Sequence, residues 1–466
     1  MIIPGRKVLI FPVEEIVREL DFRLVLAALC ARPDNQIILG NHTDVYELGK
    51  RLRGGLYVGK NLLNVSPTRM TECYEHLKEQ RIRVVHLDEE GAFFQGGEED
   101  WKERLLARLD PAWMEGEDFL CTWGTFQADY YRSRGTAITD HVRVTGHPRF
   151  NLHADPYGGF YAAESEKFRR DYGPFILVNT NFKYCNHGKG PDFYLRNRKV
   201  EPGDSEQRTF LVDHYGYSAR KMAHFIELIN HLSDSFPDYG VVLRPHPTES
   251  TKTYEEMFRH IPRVRIERMG SLSAWLHACE LLIHDGCTTG LEAHIAGTKV
   301  INYRPVRDSR FDFLVTNLVG RACENEEQVV AAIRDFREGI DTKSLPAESH
   351  RAIKRVLENY DETTEAFERL ADLILDVLEE VEPTEVTGEL SSFTRRGKVE
   401  AVKRKLRGIR PAFLGKYQPR NLFGYYRFPG LFPETINRKL GVAGELAGRT
   451  LTPRFFSSKL MSVHVE

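Results

Sequence analysis

Residues 283–297 read IHDGCTTGLEAHIAG. The apolar run LLI (281–283) stops at His284-Asp285-Gly286, two threonines follow, and a helix-like segment then encloses Glu292. A buried strand that gives way to a helix through a glycine is the joint from which parallel α/β sheets are built. Gly286 permits a sharp turn, and Thr288 or Thr289 can cap the next helix. The free N–H groups and positive dipole end of that helix attract a phosphate or carboxylate. The same letters also fit an S/T-x-x-E capping box, Thr289 to Glu292, in which Glu292 serves backbone donors alone.

The same joint recurs on both sides of this stretch. FILVNTN (175–181), YGVVLRPH (239–246), VRIER (264–268), LLIHDG (281–286) and KVINYR (299–304) are strand-like, with helical patterns at about 216–235, 271–279 and 288–297 between them. An earlier series runs KVLIFPV (7–13), QIILG (36–40), LYVG (56–59), RIRVVHLD (81–88), DFLCTW (118–123) and HVRVTG (141–146), with a helix at 14–30 after its first strand. Each series predicts a Rossmann-like parallel sheet with helices on both faces. The expected domains are 1–160 on the acceptor side, 172–345 on the donor side, closing helices at 346–382, and, past a linker-like stretch VEPTEVTGELSS (381–392), a basic extension at 390–466. Two such units of similar size match the GT-B arrangement of glycosyltransferases, in which a ligand sits at the carboxyl ends of the strands, in a central cleft between the units.

Composition narrows the options. The chain has 466 residues, 41% of them hydrophobic and 28% charged, an ordinary globular balance. Its apolar runs fall short of the roughly 20 residues a membrane-spanning helix needs. The N-terminus lacks a signal peptide's tripartite pattern and reads as a strand entering the fold. Seven scattered cysteines with no CxxC point to a reducing cytosol rather than a disulfide framework or zinc site. The absence of an Asp-x-Asp pair argues against a carboxylate-held divalent cation, so neither metal nor other cofactor is expected. The net charge of −2 conceals a basic C-terminus: residues 391–466 carry 16 Lys/Arg against 4 Asp/Glu. RRGKVEAVKRKLRGIRPAFLGKYQPR (395–420) suits the anionic face of a membrane, or an acidic surface of the chain itself. No nucleic-acid module accompanies the charge, so nucleic acid is not an expected partner.

Two further motifs bear chemistry. In VVLRPHPTES (241–250), Arg244 and His246 stand at a strand's carboxyl end in a loop stiffened by Pro245 and Pro247. A histidine there can donate to a phosphate oxygen, although Pro247 also suits a helix start. In RVVHLDEEGAFF (83–94), Asp88, Glu89 and Glu90 crowd together at a strand end. Mutual repulsion is expected to raise the pKa of at least one, as general-base work requires; a solvated acidic turn is the alternative. Lesser candidates are Asn179 and Asn181, which can bind sugar hydroxyls or cap a loop, and Gln127 at another strand–helix junction. Lys183, His187 and Lys189 lie in a glycine-containing loop that can close over an anion. Arg18 and Glu19 read as a helix-surface ion pair.

An acidic-acidic-Gly motif, then HP, then a pair of hydroxyls resembles the motif order of bacterial sialyltransferases and polysialyltransferases, GT-B enzymes that use CMP-activated sugars. Over most of residues 7–305 the chain resembles a bacterial family of surface carbohydrate biosynthesis proteins, through FPVEEIVRELDFRLVLA, HLDEEGAF, VTGHPRFN, FILVNTNF, RPHP and HDGCTTGLEA. TGHPRFN is also similar to the TGxPRxD segment of the teichoic-acid glycerophosphotransferases, with Asn151 in place of the usual Asp.

The resemblance implies a base at Glu90, with Glu89 as understudy, and a phosphate contact from His246. It implies phosphate or sugar-carboxylate binding by Thr288 and Thr289, and a ribose contact from Glu292. Two departures are the Thr-Thr pair, where Ser-Ser or Ser-Thr is usual, and the extra acid Asp88. The expected function is transfer of a 2-keto-3-deoxy acidic sugar, of Kdo, sialic, pseudaminic or legionaminic type, from a CMP donor to a surface glycan or lipid-linked glycan. The expected location is cytoplasmic, with peripheral attachment at the inner membrane face. Rivals are a CDP-glycerol or CDP-ribitol phosphotransferase, a nucleotide-sugar epimerase, and a non-catalytic glycan-assembly protein.

Overall fold

The computed structural model describes residues 2–60, 62, 69–198, 200–201, 203–340, 345–391, 393, 395 and 427–465. The chain divides into two compact units. Unit 1 comprises Met1–Ala92, Glu103–Pro156 and Leu357–Glu466; unit 2 comprises Phe93–Lys102 and Tyr157–Val356. The segment 346–382, read as one set of closing helices, is thereby divided between them. Most of the basic stretch 395–420, and with it the expected membrane contact, lies outside the described residues.

Unit 1 holds β1 (Lys7–Val13), β2 (Asn35–Asn41), β3 (Leu52–Arg53), β4 (Leu56–Gly59), β5 (Arg83–Leu87), β6 (Phe119–Thr122) and β7 (Val142–Val144). β1 and β2 and β4 to β7 form a parallel sheet in the order β2-β1-β4-β5-β6-β7. β1 is buried from Val8 to Val13, as a run of apolar residues covered on both faces must be. The helix Ile16–Cys30 packs on the helices Glu365–Glu379 and Pro433–Leu446.

Unit 2 holds β8 (Phe175–Thr180), β9 (Gly240–Pro245), β10 (Val264–Ile266), β11 (Leu281–His284), β12 (Lys299–Tyr303) and β13 (Arg321–Cys323), all parallel, in the order β10-β9-β8-β11-β12-β13. Its core packs Ile176, Val178, Leu281 and Ile283 against Phe225, Leu228 and Leu232 of the helix Ser205–Ser235. The two Rossmann-like sheets read from the sequence are therefore both present. The long helix starts eleven residues before its expected beginning, because Asp204 accepts the Gln207 N–H at 2.9 Å and fixes the first turn there. Among the described residues no helix is long and apolar enough to cross a membrane.

Among the described residues five short strands escaped the sequence reading: β3, β13, β14 (Glu385–Val386), and the hairpin of β15 (Leu451–Ser457) and β16 (Leu460–Val465). β14 pairs with β3. The hairpin extends the first sheet, β16 lying antiparallel on β2. Arg449 donates to the carbonyls of Ala28 and Leu29, both at 3.0 Å, and so closes the C-terminal end of the first helix. What read as a basic extension is thus, from residue 433 onward, an integral part of unit 1.

The docking of β16 depends on a side chain that is missing. Gly40 opposes Leu460, and a Cβ at Gly40 would fall 2.3 Å from the Lys459 carbonyl oxygen. Gly40→Val is expected to cost about 1–3 kcal/mol through this overpacking. Hydrogen exchange should show protection lost over 451–465 and retained over 240–284; unchanged protection of the hairpin would contradict the packing described.

Candidate functional site

The acidic run after β5 is fully neutralised within unit 1, each carboxylate by its own cation. Asp88 takes both arms of Arg108, at 2.6 and 2.7 Å. Glu89, 1% exposed, lies 3.1 Å from Arg23, itself fully buried, and 3.1 Å from His147 Nε2. Glu90 receives Arg18 at 2.9 Å, with Arg108 at 3.6 Å. The expectation of a raised pKa is not met. Burial pushes Asp88 up, but Arg108 outweighs it and holds the carboxyl at about 2. Burial likewise raises Glu89, and His147, Arg23 and Lys60 together take it well below the usual range. Glu90 is lowered too, Arg18 and Arg108 overcoming its burial. Repulsion would have won only if the three acids had shared one environment.

Of the three, Glu90 keeps half its side chain in solvent (54%), whereas Glu89 is enclosed. Arg18 and Glu19 do not pair with each other: Glu19 is buried, accepts Lys60 at 2.6 Å and accepts the Glu14 N–H at 2.7 Å. Burial, with Glu89 nearby, raises its pKa against the pull of Lys60.

TGHPRFN forms a clamp beside this cluster. The Asn359 side chain accepts the His147 N–H at 2.8 Å and donates to the His147 carbonyl at 3.0 Å and to Asn151 Oδ1 at 2.7 Å. Asn151, where the resembling family has Asp, thereby meets an amide donor. Trp123, Phe22 and Phe150 ring the His147 imidazole, and burial lowers its pKa against the pull of Glu89. Gln127 serves its own helix: its Oε1 accepts the Gly124 N–H at 2.9 Å at the helix start. Arg23, His147 and Asn359 were missed because their partners lie far away in sequence.

In unit 2 the sequence-assigned residues gather at one end of three adjacent strands. β8 was the first strand laid down, β9 lies on one side of it and β11 on the other, so the chain reverses its winding direction at β8/β11. Ligands of parallel sheets bind outside the strand ends at such a point. Asn179 and Asn181 lie at the end of β8, and the Oδ1 of each is buried without a hydrogen-bond partner. His246 follows β9. Its N–H bonds to the Thr180 carbonyl at 3.1 Å and to Glu249 Oε1 at 2.9 Å, and its Nδ1 accepts the Thr248 N–H at 3.2 Å. An imidazole that accepts at Nδ1 carries its neutral-form proton on Nε2.

Glu249 builds this loop. It is 1% exposed and also accepts Thr180 Oγ1 at 3.0 Å and the Tyr254 hydroxyl at 2.7 Å; burial raises its pKa. Arg244 is placed elsewhere, its guanidinium 5.5 Å over the Trp275 ring and donating to the Gly270 carbonyl at 3.3 Å. Burial brings its pKa down to about 10.

After β11, Gly286 turns with φ 61°, a left-handed conformation that L side chains resist, and the helix Thr288–Ile295 begins. Cys287 occupies the N-cap position without a side-chain cap bond, so the Thr289–Glu292 capping box does not form. Glu292 is buried on this helix. His284 packs beneath it against Gly290, where a Cβ would meet the ring, and burial takes its pKa to about 3. His187 is buried, stacks on Phe193 at 4.0 Å and accepts the Lys189 N–H at 3.0 Å, and Lys183 sits over Tyr184, so that loop is braced by its own aromatic residues. Among the described residues no group of three or more His, Cys, Asp or Glu is disposed to hold a metal ion.

No family model matches the chain, and no curated protein does. Among solved structures it is similar to the wall teichoic acid polymerase TagF, with 11% identity, a TM-score of 0.47, and 81% of this chain and 90% of that one covered. It is similar also to the UDP-GlcNAc 2-epimerase of Methanocaldococcus jannaschii, with 13% identity, a TM-score of 0.47, and 79% and 98% covered. A third is Anabaena Alr3699/HepE in complex with UDP-glucose, with 10% identity, a TM-score of 0.40, and 79% and 99% covered.

Two expectations concern the neutralised acids. Arg23→Met strands Glu89 in the interior and should cost about 3–5 kcal/mol in urea unfolding, part of it recovered in Arg23→Met/Glu89→Leu. Arg108→Met removes what depresses Asp88. A depressed carboxylate stabilises above its ordinary pKa, and that contribution fades as pH falls through the folded value. The variant should therefore lose about 2 kcal/mol at pH 6 and nearly nothing relative to wild type at pH 2.

Proposed function

We propose that the chain is a glycosyltransferase that moves a 2-keto-3-deoxy acidic sugar from a CMP donor to a hydroxyl of a surface glycan or lipid-linked glycan, without a divalent cation. The observation that carries this reading is the convergence in unit 2. His246 after β9, the Gly286 turn with Thr288 and Thr289 after β11, and Asn179 at the end of the strand between them with Asn181 just beyond it all stand at the β8/β11 reversal. His246 Nε2–H donates to the departing phosphate. The helix start at Thr288 adds oriented N–H groups and hydroxyls, which stabilise charge as it develops. A single phosphate leaves with CMP, so neutral donors of this kind suffice.

On unit 1, Glu90 takes the proton of the acceptor hydroxyl. Arg18 and Arg108 keep it ionised throughout the neutral range, ready to accept a proton though a weaker base than an unpaired glutamate. Glu89 is enclosed and holds Arg23 and His147 in place.

A second reading, transfer of a polyol phosphate from a CDP donor, is favoured by one feature. Lys221 and Arg304, cations at this end of the unit 2 sheet, are both taken up by carboxylates, Lys221 by Asp285 at 2.7 Å and Arg304 by Asp312 at 2.8 Å. A sugar carboxylate would want such a cation; a polyol would not.

Glu90→Gln and His246→Ala should each lower transfer about 10²–10⁴-fold with unfolding unchanged. Calorimetry with CMP, CDP and UDP separates the readings: CMP preference supports the main one, CDP preference the second, and near-normal turnover in either variant refutes the assigned role.

A further inference from the structure

One carboxylate at the β8/β11 reversal has no part in the scheme above. Asp285 is the last residue before the Gly286 turn, and its side chain is 6% exposed. Its Oδ2 is held by Lys221 Nζ at 2.7 Å, and Lys221 is fixed in turn by Tyr217 and, at 3.4 Å, by Asp312. Its Oδ1 is buried and has no hydrogen-bond partner. Asn317 lies against the turn: a Cβ on Gly286 would lie 3.5 Å from its Oδ1 and 3.6 Å from its Nδ2. Both of those amide atoms are buried and unpartnered as well. The Asn317 carbonyl is occupied, accepting Asn302 Nδ2 at 2.8 Å, and the Gly286 carbonyl accepts Thr316 Oγ1 at 2.9 Å. The backbone of the turn is thus fixed while the side-chain polar atoms beside it are left over.

Buried polar atoms without partners are costly, each by about 1–3 kcal/mol, and at a strand-end reversal, where parallel sheets bind their ligands, a ligand can make up the bonds. The chemistry of the set selects the ligand. Asp285 Oδ1 accepts only, and Asn317 both accepts and donates. Lys221 cancels the charge of Asp285, so the pair neither demands a cation nor repels a nearby phosphate strongly. Two adjacent hydroxyls, each able to donate and to accept, complete it.

We propose that Asp285 and Asn317 form a subsite for a vicinal diol, with Asp285 Oδ1 as the principal acceptor. The inference rests on the nucleotide-donor reading of unit 2 and adds to it the residues that read the diol. A diol of this kind occurs both in the nucleotide's ribose and in a polyol or sugar being transferred.

The test is calorimetry on the full chain with CMP, 2′-deoxy-CMP and CDP-glycerol. Asp285→Asn keeps the shape and the Lys221 contact; Asp285→Ala/Lys221→Met removes both charges together, so that neither is left buried alone. Thermal unfolding checks that each variant is folded. The expected result is that wild type prefers CMP to 2′-deoxy-CMP, and that both variants bind CMP about tenfold more weakly and lose that preference, as for a lost bond to a charged acceptor. Unchanged CMP binding with weakened CDP-glycerol binding also supports the subsite and assigns its diol to the transferred group. If wild type binds CMP or CDP-glycerol and the folded variants bind them equally well, the subsite is wrong while the donor reading stands. If wild type binds no nucleotide, the donor reading fails and the subsite falls with it.

Discussion

A carboxylate taken out of water must be matched by a cation at hydrogen-bond distance, and that requirement organises the strand ends of both units. In unit 1, Arg23 reaches the Glu89 carboxylate and the Val58 carbonyl from the first helix, tying three elements at the carboxyl end of the sheet. In unit 2, Lys221 does the same from the long helix, bridging Asp285 after β11 and Asp312 beyond β12. Neither pair is a gain in stability over an apolar core of the same shape, because desolvation offsets most of the attraction. What each supplies is a fixed position: a buried charge has one low-energy arrangement, and the loop that carries it inherits that arrangement.

The loops after β5 and β9 show how the constraint spreads. Asp88, Glu89 and Glu90 are consecutive, yet they diverge, Asp88 to Arg108 on the helix Glu98–Arg108, and Glu89 and Glu90 to Arg23 and Arg18 on the helix Ile16–Cys30. Glu249 does with hydrogen bonds what those acids do with cations, gathering the His246 N–H, Thr180 and Tyr254 around a protonation-prone buried carboxyl. In both cases the residue that looks reactive in sequence is flanked by one whose work is to hold it.

The sheets were legible because a run such as KVLIFPV has no other stable use, and because the letters of 283–297 specify strand, turn and helix in succession. The motif positions at strand ends were legible for the same reason. Partner choice was not. Nothing near Glu89 announces Arg23, 66 residues earlier, or His147, and nothing near Asn151 announces Asn359. The C-terminal hairpin was hidden differently. LTPRFFS contains a proline and exposed polar positions, as an edge strand can, and it pairs with β16, which itself meets the sheet where Gly40 opposes Leu460. Counting charge over 391–466 averaged this folded piece with the basic stretch before it.

Neutralisation also decides which groups are left to do chemistry. Around β5 the buried acids are spent on structure, and Glu90 alone of the three retains substantial exposure. Around the unit 2 reversal Lys221, Arg304 and Arg244 are each engaged by a carboxylate, a carbonyl or an aromatic face, so the proposed donor contacts there rest on imidazole, hydroxyl, amide and helix N–H groups. In the transfer proposed above, such neutral donors would hold a phosphate by number and direction rather than by net charge, and their grip would depend little on ionic strength and heavily on geometry. The stiff RPHP loop, the fixed Gly286 turn and the buried charges beneath them are the features that supply that geometry.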